Sequence, residues 1–132
     1  MSKISGKDTE PEILVRKHLF SNGFRYRKNV KELPGKPDIV LPKYKTIIFI
    51  HGCFWHGHTC KGGKLPETNY EFWKNKIISN IKRDENNIKK LENDGWSVIV
   101  IWVCQLKNKA LQESTLSLLI SELKINYLRA NQ

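Results

Sequence analysis

Acidic residues are scarce in this chain of 132 residues: 13 Asp and Glu stand against 23 Lys and Arg, for a net charge of +10. That excess draws polyanions, with nucleic acid the first candidate, although an inert basic surface carries the same number. Cysteine is also rare, and three is an odd count that cannot close a disulfide set. In a reducing cytoplasm the three would serve as metal ligands or as small buried residues. No apolar run approaches the ~20 residues of a membrane-spanning helix. The start, MSKISGKDTEPE, has no apolar signal region. Repeats, low-complexity tracts and linkers are missing too. The expectation is one soluble, cytoplasmic, monomeric domain over residues 1–132, with no membrane partner.

The remaining residues carry clear periodicities. TEPE at 9–12 predicts a helix start, with Thr9 and Glu12 at capping-box spacing and Pro11 in the first turn. Ile13, Leu14, Leu19 and Phe20 can line one stripe, and Gly23 suits the stop. FRYRKNV alternates as a strand does. DIVL and TIIFIH, separated by the turn PKYK, predict an antiparallel hairpin. Residues 52–68 form a Gly-rich loop. A long helix is predicted from Asn69 to Asp94, WSVIVIWVC is a buried strand, and a last helix covers about Leu111 to Lys124. The fold class is α/β, a small mixed sheet flanked by helices.

Residues 48–60, IFIHGCFWHGHTC, hold three of the four histidines and two of the three cysteines. Cys53, His58 and Cys60 lack the common two-residue finger spacing. Cys104, at the end of VIVIWVC, can join them where strand ends meet at one sheet edge. Three thiolates and an imidazole suit a closed tetrahedral zinc site, structural because no position remains for water. Burial as a small apolar residue is the plain alternative for Cys104.

A second constellation uses hard oxygen ligands. Pairing Leu41 with Thr46 or Ile47 sets Asp38 near Phe49 to His51, so a carboxylate and backbone carbonyls approach His51, a combination that suits Mg²⁺. Asp38 can equally cap the turn after GKP. His51 and His56 are spare once His58 is a zinc ligand, and either can be a general base. Glu12 is accounted for by the capping box, with a role near the metal as an addition.

LPGKPDIVL, IFIHGCFWHGHTC, EFWKNKI, RDENNIKKLENDGW and VIVIWVCQL, in this order over about residues 9–106, resemble the very short patch repair (Vsr) endonucleases. The resemblance implies a restriction-endonuclease-like core. It also implies Mg²⁺-dependent, strand-specific nicking of double-stranded DNA 5′ to the thymine of a T:G mismatch. By position, Asp38 matches the metal-binding aspartate and Ile50 the residue whose backbone carbonyl also holds Mg²⁺. His51, His56 and Glu12 match active-site residues, with His56 the better fit for activating water. Cys53, His58, Cys60 and Cys104 match the structural Zn²⁺ ligands. Phe54, Trp55 and Trp73 match aromatics that wedge into the duplex, where unstacking is cheapest at a poorly paired step; packing over the loop or along the helix is their other reading. Rival functions are a related nuclease cutting other mismatched or matched sites, and a zinc-stabilised DNA-binding module without catalysis. One departure concerns the N-terminal arm that family members often place before the first helix, since only about eight residues precede TEPE here.

Overall fold

The computed structural model describes residues 9–131, so the segment before TEPE lies outside the described residues. Three helices flank a four-stranded sheet. The strands are β1 (Arg27–Lys28), β2 (Ile39–Leu41), β3 (Thr46–His51) and β4 (Ser97–Trp102), in the spatial order β1-β2-β3-β4. β1, β2 and β3 pair antiparallel and β3 pairs β4 in parallel. A parallel pair needs a crossover, which α2 (Tyr70–Asn93) supplies between them. α1 (Glu10–Ser21) precedes the sheet and α3 (Lys109–Ala130) follows it.

Every residue of β2 and β3 is buried, because the sheet is covered on both faces. Alternation along the strand sorts the side chains. Ile48 and Ile50 join Val15 and Leu19 of α1 and Leu116, Leu119 and Leu123 of α3. Ile47 and Phe49 join Leu91 of α2 on the opposite face. His51 continues the second series, at the end of the strand and on the side of α2.

The register is Leu41 with Thr46, through the turn Pro42–Tyr44 and a left-handed Lys45 at φ 51°. Several predicted elements differ in detail. FRYRKNV contributes only two strand residues, since Asn29 adopts φ 51° and leaves the extended region. The WSVIVIWVC strand ends at Trp102, and only Ile101 within it is buried because β4 is an edge strand. Thr9 makes no side-chain cap to the helix backbone; its hydroxyl donates to Glu12 Oε2 at 3.2 Å. α3 begins two residues earlier than expected, where Asn108 accepts from Leu111 N–H at 2.9 Å. It also runs six residues further, because Asn126 donates to buried Thr46 Oγ1 at 3.0 Å and Tyr127 packs on Tyr44.

Candidate functional site

β3 and β4 leave the sheet side by side, with His51 opposite Trp102 in the parallel register. Two residues beyond that pair come Cys53 on one chain exit and Cys104 on the other. Cys104 sits in the short turn Val103–Leu106 and not in the strand. Cys53, His58, Cys60 and Cys104 place one donor atom each within 4.8 Å of one another, a group that could hold a metal ion. Cys104 Sγ and His58 Nδ1 are 3.6 Å apart, and the His58 ring stacks on Trp102 at 4.2 Å. The His58 hydrogen bond draws the Cys60 thiol down to about 6, whereas burial and the neighbouring sulfurs push Cys104 up to about 11.

The other side of the loop faces a cleft of about 560 Å³ lined by Glu12, Asp38, Ile50, His51, His56 and Asp84, among others. The hairpin register brings Asp38 beside the end of β3, where its Oδ2 accepts from Ile50 N–H at 2.7 Å. Burial raises Asp38 to about 6, against the Ile50 hydrogen bond, with nearby Glu12 adding to the rise and Arg16 opposing it. Glu12 is itself buried beside Arg16, whose Nη1 lies 3.6 Å from its Oε1.

His51 and His56 stack with ring centroids 3.8 Å apart and planes within 3°. Burial and the adjacent His56 lower His51 to about 4, with Asp84 pulling the other way, so its ring is uncharged at neutral pH. His56 Nδ1 lies 2.6 Å from Asp84 Oδ2, so that the imidazole donates to the α2 carboxylate. Asn80, one helical turn before Asp84, donates to the Trp55 carbonyl at 2.9 Å and ties the loop to α2.

Gly57 separates the two clusters. Its φ of +68° lets His56 turn to α2 while His58 turns to the cysteines. A Cβ there would lie 2.5 Å from Ile81 Cδ1 and 2.9 Å from Ile77 Cγ2. Gly57→Ala is therefore expected to lose about 1–3 kcal/mol through backbone strain and overpacking. Bound metal and activity should fall together with it. Unchanged melting and metal content, by calorimetry and elemental analysis, would contradict this placement of Gly57.

Phe54, Trp55 and Trp73 meet edge to face, with centroids 5.1 to 5.8 Å apart. Trp55 is 50% exposed, and Phe72, 60% exposed, extends the group beside Trp73. Trp73 therefore packs against the loop at the start of α2, outside both core clusters.

The DNA mismatch endonuclease Vsr family model matches residues 1–62. The chain is 56% identical over 124 residues to the type II nicking enzyme V.NmeAIP of Neisseria meningitidis, covering 94% of this chain and 89% of that one. The chain belongs to the Vsr DNA mismatch endonuclease family. It is also 40% identical over 109 residues to the DNA mismatch endonuclease Vsr of Escherichia coli K12, covering 83% of this chain and 70% of that one. The type II nicking enzyme V.XorIIP of Xanthomonas oryzae is 43% identical over 116 residues, covering 88% and 85%. Family membership makes this a DNA endonuclease with an α/β fold, and no helix among the described residues is long and apolar enough to cross a membrane.

In this Vsr-family endonuclease, the predicted residues fall into three neighbouring groups around the loop after β3. Asp38, Glu12, Ile50, His51 and His56 line one cleft. Cys53, His58, Cys60 and Cys104 form a second group, which could hold a metal ion, and the aromatics a third. Asp84 and Trp102 were not singled out in the sequence. Asp84 lies in RDENNIKKLENDGW, one of the segments that carry the family resemblance, but its closeness to His56 becomes visible only with α2 in place.

Proposed function

We propose that this endonuclease nicks double-stranded DNA 5′ to the thymine of a T:G mismatch, as a Mg²⁺-dependent step of very short patch mismatch repair. The observation that carries the reading is the His56–Asp84 pair standing beside Asp38 in one cleft. A carboxylate that accepts at Nδ1 holds the proton there and leaves Nε2 as the base. His56 then takes the proton of the attacking water, while Asp84 keeps the ring oriented and stabilises its charged form. His51, uncharged and stacked on His56, fixes the ring plane. Glu12 sets the field around Asp38.

Asp38 and the Ile50 carbonyl would hold magnesium. Residues in an extended strand direct N–H and C=O to the same side, and Ile50 N–H already points at Asp38. Oxygen donors in a cleft with room for water and phosphate suit this ion. Bound there, it would offset the charge that builds on the phosphate and the leaving 3′-oxygen. The four soft donors suit structural zinc instead: a tetrahedral shell sets sulfur and nitrogen about 3.6 Å apart, the Cys104–His58 separation here being 3.6 Å. Phe54, Trp55 and Trp73 supply the wedge, with selectivity coming from the low cost of unstacking a mispaired step. One cleft cuts one strand, so the working state is a monomer, and the cytoplasm is its compartment.

The nicking names of two relatives support single-strand cleavage. The test is nicking of a T:G duplex beside its matched control, with magnesium and without. Preferred, magnesium-dependent nicking of the mismatch is expected; equal nicking of both duplexes would overturn the specificity, and binding without cleavage would leave only a DNA-binding module. Asp84→Asn is expected to lower kcat about 10²–10⁴-fold, the range for losing the carboxylate that orients a general-base histidine. Its pH–rate profile should shift as well. A wild-type rate and profile would remove Asp84 from the positioning of His56.

A further inference from the structure

Three carboxylates, Glu12, Asp38 and Asp84, line a cleft that has to receive a polyanion. Two cations line the same cleft: Lys36 on the loop before β2 and Arg83 on α2. Both are exposed, and neither is ion-paired among the described residues. Resting on the DNA-nicking reading of the cleft, we infer that Arg83 and Lys36 form a phosphate clamp on either side of its mouth, gripping the backbone next to the scissile position.

Three observations carry this. Arg83 lines two cavities at once, the catalytic cleft and a separate groove of about 450 Å³ along α2. The groove runs from exposed Phe72, beside the aromatic cluster, through Lys76 and Asn80 to Arg83, and contains no acidic side chain. A strand passing from the wedge to the cleft therefore meets Arg83 at the junction. Lys36 lines the cleft from a different element, the loop before β2. The preceding Gly35 is pressed so close to α2 that a Cβ on it would lie 3.2 Å from Asn87 Cβ. Asn87 is one helical turn beyond Arg83 on the same face. Finally, Lys36 closes a turn, its N–H donating to the Leu33 carbonyl at 3.0 Å with φ 50°, so its backbone is held at the edge of the cleft.

A phosphate contact has a signature that packing lacks. Each one adds about 0.9 to the slope of log affinity against log salt. Affinity for a T:G duplex and its matched control is to be measured across salt, with no divalent metal added, for wild type, Arg83→Gln, Lys36→Gln, the double variant and Arg83→Lys. Each Gln variant is expected to flatten the slope by about 0.9 and to bind about 8-fold more weakly at 0.1 M salt, the difference vanishing toward 1 M. The double variant should lose about twice that slope. Arg83→Lys should keep the wild-type slope, and the T:G preference should be unchanged throughout. With magnesium, KM should rise more than kcat falls. A wild-type slope in the Gln variants, an affinity loss equal at all salts, or a collapse of T:G preference would each overturn the clamp. If wild type still nicks the mismatch in that case, the functional reading stands without the clamp; a wild type that neither binds nor nicks DNA would remove both.

Discussion

Asp38→Asn is expected to lower the nicking rate about 10³-fold if Asp38 holds magnesium as proposed, because a metal that stabilises transition-state charge supplies several kcal/mol. Asparagine keeps an oxygen for the Ile50 N–H and preserves the hairpin end. Its effect on stability should run the other way. Burial lifts Asp38 to about 6 in the fold, above its ordinary value of 3.8. The folded chain therefore holds that proton more tightly than the unfolded chain. The stability this contributes is complete below about pH 4 and is lost as pH rises through about 6. With no magnesium added, Asp38→Asn should melt above wild type at pH 8 and close to it at pH 4. Magnesium requires the ionised carboxylate, so the acid limb of wild-type nicking should fall near pH 6 and move lower as magnesium rises. A variant that nicks at the wild-type rate would exclude Asp38 from the reaction. One that melts below wild type at pH 8 would show that the carboxylate is already neutralised within the fold.

Cys104→Ser is expected to have the largest effect on stability. Of the four residues that could hold a metal ion, Cys104 is the one that follows α2 in the chain, so a metal bound there would link the loop after β3 to the end of β4. The other three ligands lie within eight residues, Cys53 to Cys60, and by themselves tie the loop only to itself. Losing a structural metal belongs to the class of substitutions that cost more than about 4 kcal/mol. The variant should contain less than one zinc per chain by elemental analysis. Chelator should lower the melting temperature of wild type sharply and that of the variant little, since binding free energy here is folding free energy. Nicking should fall as well, because His56 sits in the same loop as Cys53, His58 and Cys60 and stacks on His51 at the end of β3. Wild-type zinc content in Cys104→Ser would remove it from the ligand set.

Legibility in the sequence depended on how local the physical cause was. The β2–β3 register could be read because a four-residue turn leaves few alternatives, and it carried Asp38 to Ile50. The cysteines could be counted, and the parallel partnership of β3 with β4 makes their meeting intelligible. Spacing from Thr9 alone reads Glu12 as a cap, and only the family resemblance points it to the active site. In the fold the same carboxylate turns inward toward Arg16 and the cleft, since burial of α1 leaves it that side. Asp84 was hidden by its context: a charged helical run has no period that marks one carboxylate as the partner of a histidine 28 residues away. The end of α3 was hidden likewise, because Asn126 is held by Thr46, 80 residues earlier.

Mapping the nick tests mismatch-directed cleavage most directly. A duplex with one T:G mismatch is labelled separately at the 5′ end of the T strand and of the G strand. It is incubated with the full chain and magnesium beside a matched duplex. A single product on the T strand, ending immediately 5′ to the mismatched thymine, with the G strand and the matched duplex intact, is the predicted result. Equal cleavage of both strands, or of the matched duplex at the same position, would contradict it.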